Sequence, residues 1–458
     1  MAEINKFVFK AYDIRGIYPT DLNDDIAYKA ALAYANFLPK ADPIVICADY
    51  RNSSPAIKEA VIKGLMDGGK NIIDIGQGPT PLLYFGIAHY NHGGGIQITA
   101  SHNPKEYNGL KLQKEKALPI YGENGIFEIR DKVLNNQLEK IETETTIEKK
   151  DILQDYIEHL VSKTKLKRPL KIIIDSGNGA CGTIPEKIFK KLGCDVTTIF
   201  GEPDGNFPNH IADPYKEETL TELKKKVLEE KADLGIAYDG DGDRVGIIDE
   251  KGRFVSGEHQ LIMLSREVLK EFKGTVVYEV RSSKVMLNDI KEHGGEPIMA
   301  VAGHAYVLDS VFKNNAVFGG ELTGHIYFPK HYYYFDDGIF VSLKLAEIVS
   351  NLDSLADYVD TLPVAHASPE YFVDCPDEKK EERMNNLKDY LKENKYDVLD
   401  IDGVRINLKN GWALARPSNT APLIKCRFEG DTEVDLKKIQ KEIGEIFKKF
   451  DIVIKELE

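Results

Sequence analysis

The chain has few cysteines for its 458 residues, and no C-x-x-C pair. Its five cysteines (Cys47, Cys181, Cys194, Cys375 and Cys426) stand far apart, and their number is odd. That pattern fits reduced thiols in a cytoplasmic protein and not a disulfide framework. Long apolar runs are missing too. None approaches the ~20 residues needed to cross a bilayer, so no membrane partner is expected. Met1 to Lys10 carries Glu3 and alternates polar with apolar residues, which does not read as a signal peptide. Positive charge is in deficit: 60 Lys and Arg against 74 Asp and Glu give a net charge of −14. Nucleic acid rewards basic surfaces, so it is not an expected partner. A phosphate ligand stays open, because a few local cations can hold one. No Gly-x-Ser-x-Gly elbow occurs, which leaves a hydrolase triad unsupported.

A hydrophobic content of 42% and a charged content of 29% describe an ordinary soluble globular protein. The length suggests about three or four domains. A weak threefold repeat divides the first two-thirds. Ile44-Val-Ile-Cys47 leads through Ser54-Pro55 into a helical pattern ending at Gly68-Gly69, then a strand at 71–75. Lys171-Ile-Ile-Ile174 leads through Ser176-Gly-Asn-Gly179 and a helix to Gly193, then a strand at 195–200. Thr275-Val-Val-Tyr278 leads through Ser282-Ser283 and a helix to Gly294-Gly295, then a strand at 297–301. Each unit reads as strand, polar loop, helix, strand, which implies right-handed βαβ crossovers and parallel sheets. Copies about a hundred residues apart indicate duplicated domains and not a solenoid. Composition places breaks in the charge-rich 138–151 stretch (a domain end or a linking helix), at Asp249-Glu-Lys-Gly252, and at 362–369. The expected domains are 1–151, 152–252, 253–365 and 366–458. The last is α+β, with a charged helix near 377–393 and a C-terminal helix striped by Ile439, Ile443, Ile446, Phe447 and Phe450.

Asp239-Gly-Asp241-Gly-Asp243-Arg244 carries three carboxylates at alternate positions, then a fixed cation. Carboxylates that close repel one another, so a hard divalent cation such as Mg²⁺ or Ca²⁺ is their natural partner. Glycines at 240 and 242 allow a tight backbone. An EF-hand needs Gly at its sixth position, and here that residue is Arg244. The flanks also read as strands. Arg244 suits an anion beside the metal.

Five other segments carry chemistry. Thr99-Ala-Ser101-His102-Asn103-Pro104 follows a buried strand, so Ser101 serves either as a nucleophile or as a turn or helix cap. Lys111 follows in Asn108-Gly-Leu-Lys111, and Arg15 lies in Lys10-Ala-Tyr-Asp-Ile-Arg15-Gly16; each is either a site cation or a solvated one. Gly319-Gly-Glu321-Leu-Thr323-Gly-His325 alternates three polar side chains, which suits sugar hydroxyls and proton transfer, or a polar turn. Arg416-Pro-Ser418-Asn419-Thr420-Ala-Pro422 packs a forked cation with three hydrogen-bonding side chains, a phosphate cradle on its own terms.

Together these loops resemble the α-D-phosphohexomutase superfamily, in order and over nearly the whole chain. The matching pieces are Tyr12-Asp-Ile-Arg15, the Ser101 loop, Asp239 to Arg244, Gly303-His304, Gly320 to His325 and Arg416 to Thr420. Within it the chain looks most like the phosphomannomutase/phosphoglucomutase branch, because Ser418-Asn419-Thr420 stands where phosphoglucosamine mutases usually show Ser-Gly-Thr. The resemblance implies a four-domain, heart-shaped enzyme: three α/β domains with mixed, mostly parallel sheets and a C-terminal α+β domain. Ser101 would carry the phosphoryl group, and with Asp239, Asp241 and Asp243 would hold Mg²⁺. Arg15 and Arg244 would balance charge, with Lys111 and His325 as acid/base candidates. Tyr12, His304, Glu321 and Thr323 would bind sugar, and Arg416, Ser418, Asn419 and Thr420 would bind the non-transferred phosphate. The implied reaction interconverts hexose 6-phosphate and hexose 1-phosphate through a 1,6-bisphosphate, which also serves as activator. Phosphoglucosamine mutase and an idle sugar-phosphate sensor are the alternatives. The expected assembly is a monomer or weak dimer. Ala48-Asp49-Tyr50-Arg51 replaces the family's usual Gly-Arg-Asp-x-Arg and loses one arginine, which leaves the contacts of that loop open.

Overall fold

The computed structural model describes residues 4–418 and 422–457. Four sheets organise them, and the first three share one wiring. Strand Ile44–Ala48 lies between Ile72–Gln77 and Gly94–Ile98, all parallel. Lys171–Asp175 lies likewise between Asp195–Ile199 and Leu234–Tyr238. Thr275–Glu279 lies likewise between Glu296–Ala300 and Phe318–Gly320. Each time the chain leaves a central strand, crosses to one neighbour, and returns on the other side. Such a reversal opens a crevice at the carboxyl ends of the strands, where open α/β sheets bind ligands. A further strand then turns back antiparallel: Tyr107–Lys114, Val245–Ile248 and Ile326–Tyr327. The loops before these returning strands are therefore equivalent. They carry Ser101, the triplet Asp239, Asp241 and Asp243, and Glu321 to His325.

Local sequence explains the wiring. The central strands are Ile- and Val-rich and buried almost throughout, as parallel strands covered on both faces require. Ser283 Oγ accepts from Met286 N and caps helix Lys284–Glu292. Each crossover helix is followed by a glycine with left-handed φ: Gly69 at +76°, Gly193 at +85° and Gly294 at +80°. The 138–151 stretch forms no helix. Its strand Ile147–Lys149 extends the first sheet beside Ile72–Gln77. The last sheet is antiparallel and is covered by helices Asp377–Glu393 and Glu433–Lys448. Ile439, Ile443, Ile446 and Phe447 are buried on the second of these. No helix among the described residues is long and apolar enough to cross a membrane.

One apolar cluster runs without a break through the first three units. The fourth unit has its own core and meets the third through a small patch: Val280 and Ala302 against Trp412 and Leu414. Polar contacts complete that seam. Arg405 lies 3.9 Å from the Trp412 ring and donates to the Val280 and Ser282 carbonyls. Glu429 accepts from Lys284 N at 2.9 Å. Burial pushes the Glu429 carboxyl up to about 7, from an ordinary value of 4.5. Between those values the folded state holds more protons than the unfolded one, so stability falls as pH rises through the window. Glu429→Gln keeps an acceptor for Lys284 N and removes the charge. It is expected to raise the apparent melting temperature at pH 8 and to leave it unchanged at pH 4, below the window. An equal shift at both pH values in thermal melts would count against this account.

Candidate active site

The three equivalent loops and the fourth unit converge on a central cleft of about 520 Å³. Ser101 sits at its floor in a left-handed conformation, with φ +51°. Ser101 Oγ donates to Asp239 Oδ2 at 2.8 Å and lies 3.0 Å from His102 Nδ1. Ser101 N donates to Thr99 Oγ1 at 2.9 Å. Ser101 is thus no simple cap, since its hydroxyl faces a carboxylate from another domain.

The acidic triplet forms a tight connection between the antiparallel strands Leu234–Tyr238 and Val245–Ile248. All three carboxylates are fully buried. Asp239 Oδ1 accepts from Gly242 N at 2.9 Å, and Arg244 Nε pairs with Asp239 Oδ2 at 3.0 Å. Gly242 has φ +78°, the backbone freedom the turn requires. Gly240 is needed for a different reason: a Cβ there would overlap the Ser101 carbonyl oxygen. The absence of a side chain at 240 is what brings the serine loop onto the acidic loop. Glu250, which would be the twelfth residue of an EF-hand loop counted from Asp239, turns away and accepts from Ala356 N at 3.1 Å.

Lys111 is buried, and its ammonium pairs with Asp241 Oδ2 at 2.6 Å and with Asp243 Oδ2. Thr80 Oγ1 also donates to Asp241 at 2.5 Å. Burial works to raise Asp241, but Lys111 and Thr80 prevail and hold it below the usual carboxylate range. Burial and the charges of Asp243 and Asp241 push Asp239 up; burial and Asp241 push Asp243 up. Asp241 Oδ1 and Asp243 Oδ1 are buried and accept no hydrogen bond. The three carboxylates each present an oxygen within 4.8 Å of the others. Buried anionic oxygens without partners, gathered that closely, fit a hard divalent cation. Asp243, His325 and Asp336 also lie close, but there the imidazole is already engaged: His325 Nδ1 is 2.5 Å from Asp336 Oδ2.

The walls are cationic despite the acidic chain. Arg15 pairs with Asp13 and donates to Asn103 Oδ1 at 2.7 Å, so it belongs to the serine loop's rim and not to the outer surface. Arg244 Nη2 is buried without a hydrogen-bond partner, ready for an anion. Glu321 Oε1 accepts from Gly303 N at 2.5 Å and so ties two loops of the third unit together. The His304 ring stacks on His325 with centroids 5.1 Å apart, and Tyr12 meets His304 edge-on at 5.2 Å. Burial works to lower His325, but Asp243 and Asp336 prevail and raise it; burial and the neighbouring His325 hold His304 well down. Thr323 lines the same wall. From the fourth unit, Arg416 pairs with Asp402 at 2.8 Å, and Ser418 is buried beside it. Asn419 and Thr420 lie outside the described residues. Apart from Ser418, which does not line the cleft, the other candidate residues all meet in it or directly beneath it.

Several site residues escaped the sequence reading. Arg281 lines the cleft between Glu279, at 2.7 Å, and Glu321, at 3.8 Å. Lys425 lines it too, and Asp336 orients His325. A signal for Arg281 existed. It follows the central strand of the third unit as Arg51 follows that of the first, so aligning the repeats at that loop would have exposed it.

Comparison with known proteins agrees with this fold. Residues 6–140, 154–252 and 256–365 match phosphoglucomutase/phosphomannomutase alpha/beta/alpha domains I, II and III; residues 372–446 match the C-terminal domain. The chain belongs to the phosphoglucomutase/phosphomannomutase family. It therefore falls in the α-D-phosphohexomutase superfamily. Among family members, it is 36% identical over 447 residues to a phosphoglucomutase of Neisseria gonorrhoeae, covering 96% of each chain. It is 35% identical over 447 residues to a phosphomannomutase/phosphoglucomutase of Pseudomonas putida, covering 94% of each. A phosphoglucomutase/phosphomannomutase family crystal structure from Burkholderia thailandensis superposes with a TM-score of 0.91 at 33% identity, covering 98% of each chain.

Proposed function

We propose that this family member is a phosphohexomutase acting on mannose and glucose phosphates, with Ser101 as phosphoryl carrier and Mg²⁺ as cofactor. The observation that carries the reading is the 2.8 Å contact of Ser101 Oγ with the buried triplet, under a cationic cleft shared by four units. Ser101, Asp239, Asp241 and Asp243 would hold the Mg²⁺, which supplies charge neutralisation for the transferring phosphoryl group. Arg244 and Arg15 add fixed positive charge on the same side. Phosphoryl transfer breaks the P–Oγ bond of phosphoserine and forms a P–O bond to the sugar hydroxyl, whose proton must leave. His325 in its neutral form is the group that can take it. Lys111 cannot: against the effect of burial, Asp241 and Asp243 raise its pKa well above the lysine range and hold it as an ammonium, which can give a proton to the departing Ser101 Oγ. His325 is shifted upward from a value near neutrality. Asp336 fixes its Nδ1, so Nε2 is left to move a proton. The bisphosphate then reorients and returns its other phosphate to Ser101. Arg416 and Ser418, with Asn419 and Thr420, would hold the resting phosphate in both orientations. Tyr12, His304, Glu321 and Thr323 would contact the sugar.

A coupled assay with mannose 1-phosphate, glucose 1-phosphate and glucosamine 1-phosphate tests this, with Mg²⁺ and a hexose 1,6-bisphosphate primer. Turnover of the first two is expected, with glucosamine 1-phosphate at least about tenfold slower in kcat/KM. Activity on glucosamine 1-phosphate alone would make the chain a phosphoglucosamine mutase. Binding without turnover of any would make it a sensor.

A further inference from the structure

Arg51 is buried, with its side chain fully shielded from solvent. Its guanidinium has five N–H donors, and all five are used. Nε donates to Asp49 Oδ2 at 3.1 Å. Nη1 donates to the carbonyls of Pro104 at 2.7 Å and Tyr107 at 3.0 Å. Nη2 donates to the carbonyls of Ser101 at 2.8 Å and Asn103 at 2.7 Å. Four carbonyls of the serine loop therefore converge on one cation. Asp49 is fixed in turn, accepting from Arg51 N at 3.0 Å and Ser54 Oγ at 2.6 Å. From the second unit, the Phe207 ring lies 5.0 Å from the guanidinium. The loop so held contains Ser101 in a left-handed conformation that residues other than glycine seldom adopt.

We infer that Arg51 is the positioning residue of Ser101: its fork gathers the loop carbonyls and so aims Oγ at the acidic triplet. The inference rests on the proposed role of Ser101 as phosphoryl carrier. Internal duplication supports it. In the third unit Glu279-Val-Arg281 occupies the equivalent place after the central strand, and Arg281 N and Nε both donate to Glu279 Oε2 at 2.9 Å. Both units thus place an acid-locked arginine at the start of the first crossover. In the third unit it faces the cleft; in the first it faces the backbone of the serine loop. Lysine cannot replace the fork, because one ammonium cannot reach four carbonyls and a carboxylate from a single point.

The test uses full-length Arg51→Lys and Arg51→Ala beside wild type. Steady-state rates are measured, together with single-turnover phosphorylation of Ser101 by hexose 1,6-bisphosphate, followed by intact mass. A displaced nucleophile should cost about 100-fold in kcat and in the phosphorylation rate, while KM stays within about threefold. Millimolar guanidinium should restore about tenfold of the loss in Arg51→Ala, and sodium at equal ionic strength should not. If Arg51→Ala does not fold, Arg51→Lys and its split between kcat and KM carry the test. Folded variants with kcat within about threefold of wild type overturn the inference. So does a loss that only tracks the unfolded fraction in circular-dichroism melts and is not relieved by guanidinium. Failure of wild type to take up phosphate on Ser101 would instead sink the proposed carrier role.

Discussion

Ser101→Ala is expected to lower turnover by on the order of 10⁴-fold or more, with little effect on melting. The hydroxyl is the only part removed. Its backbone neighbours keep their partners: Thr99 Oγ1 still accepts from the residue's N–H, and Arg51 still holds its carbonyl. Asp239 keeps Arg244 Nε and two backbone donors, so the lost hydrogen bond leaves no unpaired carboxylate. The net structural cost is about 1 kcal/mol. Among the described residues no other hydroxyl stands in the same place. Thr80 Oγ1 is committed to Asp241 at 2.5 Å. Intact-mass measurement after incubation with hexose 1,6-bisphosphate should show phosphate on wild type and none on the variant. Turnover of the alanine variant within about tenfold of wild type would falsify the carrier role.

Asp243→Asn should separate catalysis from stability in the opposite sense. In the metal-free protein this carboxylate is a net burden: its burial and the charges of Asp241 and Asp336 outweigh its pairing with Lys111 and the nearby His325, and one of its oxygens accepts no hydrogen bond. Neutralising it relieves repulsion between carboxylates that close. The metal-free variant is therefore expected to melt at the wild-type temperature or above it. With the cation present the order reverses. Wild type gains stability by mass action as Mg²⁺ is added, and a site with one carboxylate fewer gains less. Turnover should fall by about 10²–10³-fold, because the developing charge on the phosphoryl group loses its counterion. Thermal melts across a Mg²⁺ titration, run beside activity assays, make the comparison. A variant with the full Mg²⁺-dependent rise in melting temperature would show that the cation is held elsewhere.

Much of this protein is legible in its sequence, because the relevant signals are local. The three crossover units show in Ile- and Val-rich runs, polar loops and helix-ending glycines, all short-range patterns with a fixed physical reading. The Asp-Gly-Asp-Gly-Asp-Arg loop announces itself for the same reason: the chemistry lies within six consecutive residues. The charge-rich 138–151 stretch was harder. Nothing in its composition distinguishes a linking helix from the edge strand it becomes at Ile147–Lys149, because that strand exists only through pairing with Ile72–Gln77.

What the sequence by itself determined is the set of parts: which loops carry carboxylates, hydroxyl and cations, and that they follow strands in a repeated order. Only the tertiary structure decided how the parts act on one another. Ser101 and Asp239 are 138 positions apart and meet because equivalent crevices of two sheets face each other, with Gly240 leaving room for the contact. In the chain Lys111 is only a candidate cation, marked by its position after the serine loop; in the fold it is the buried counterion of Asp241 and Asp243. Arg51 and Arg281 share an acid-x-Arg pattern, Asp49-Tyr50-Arg51 and Glu279-Val280-Arg281, but one turns into a loop and the other into the cleft. Local sequence specifies each such side chain and its nearest backbone. Its direction and its charge environment are set by surfaces from distant parts of the chain, which no short window contains.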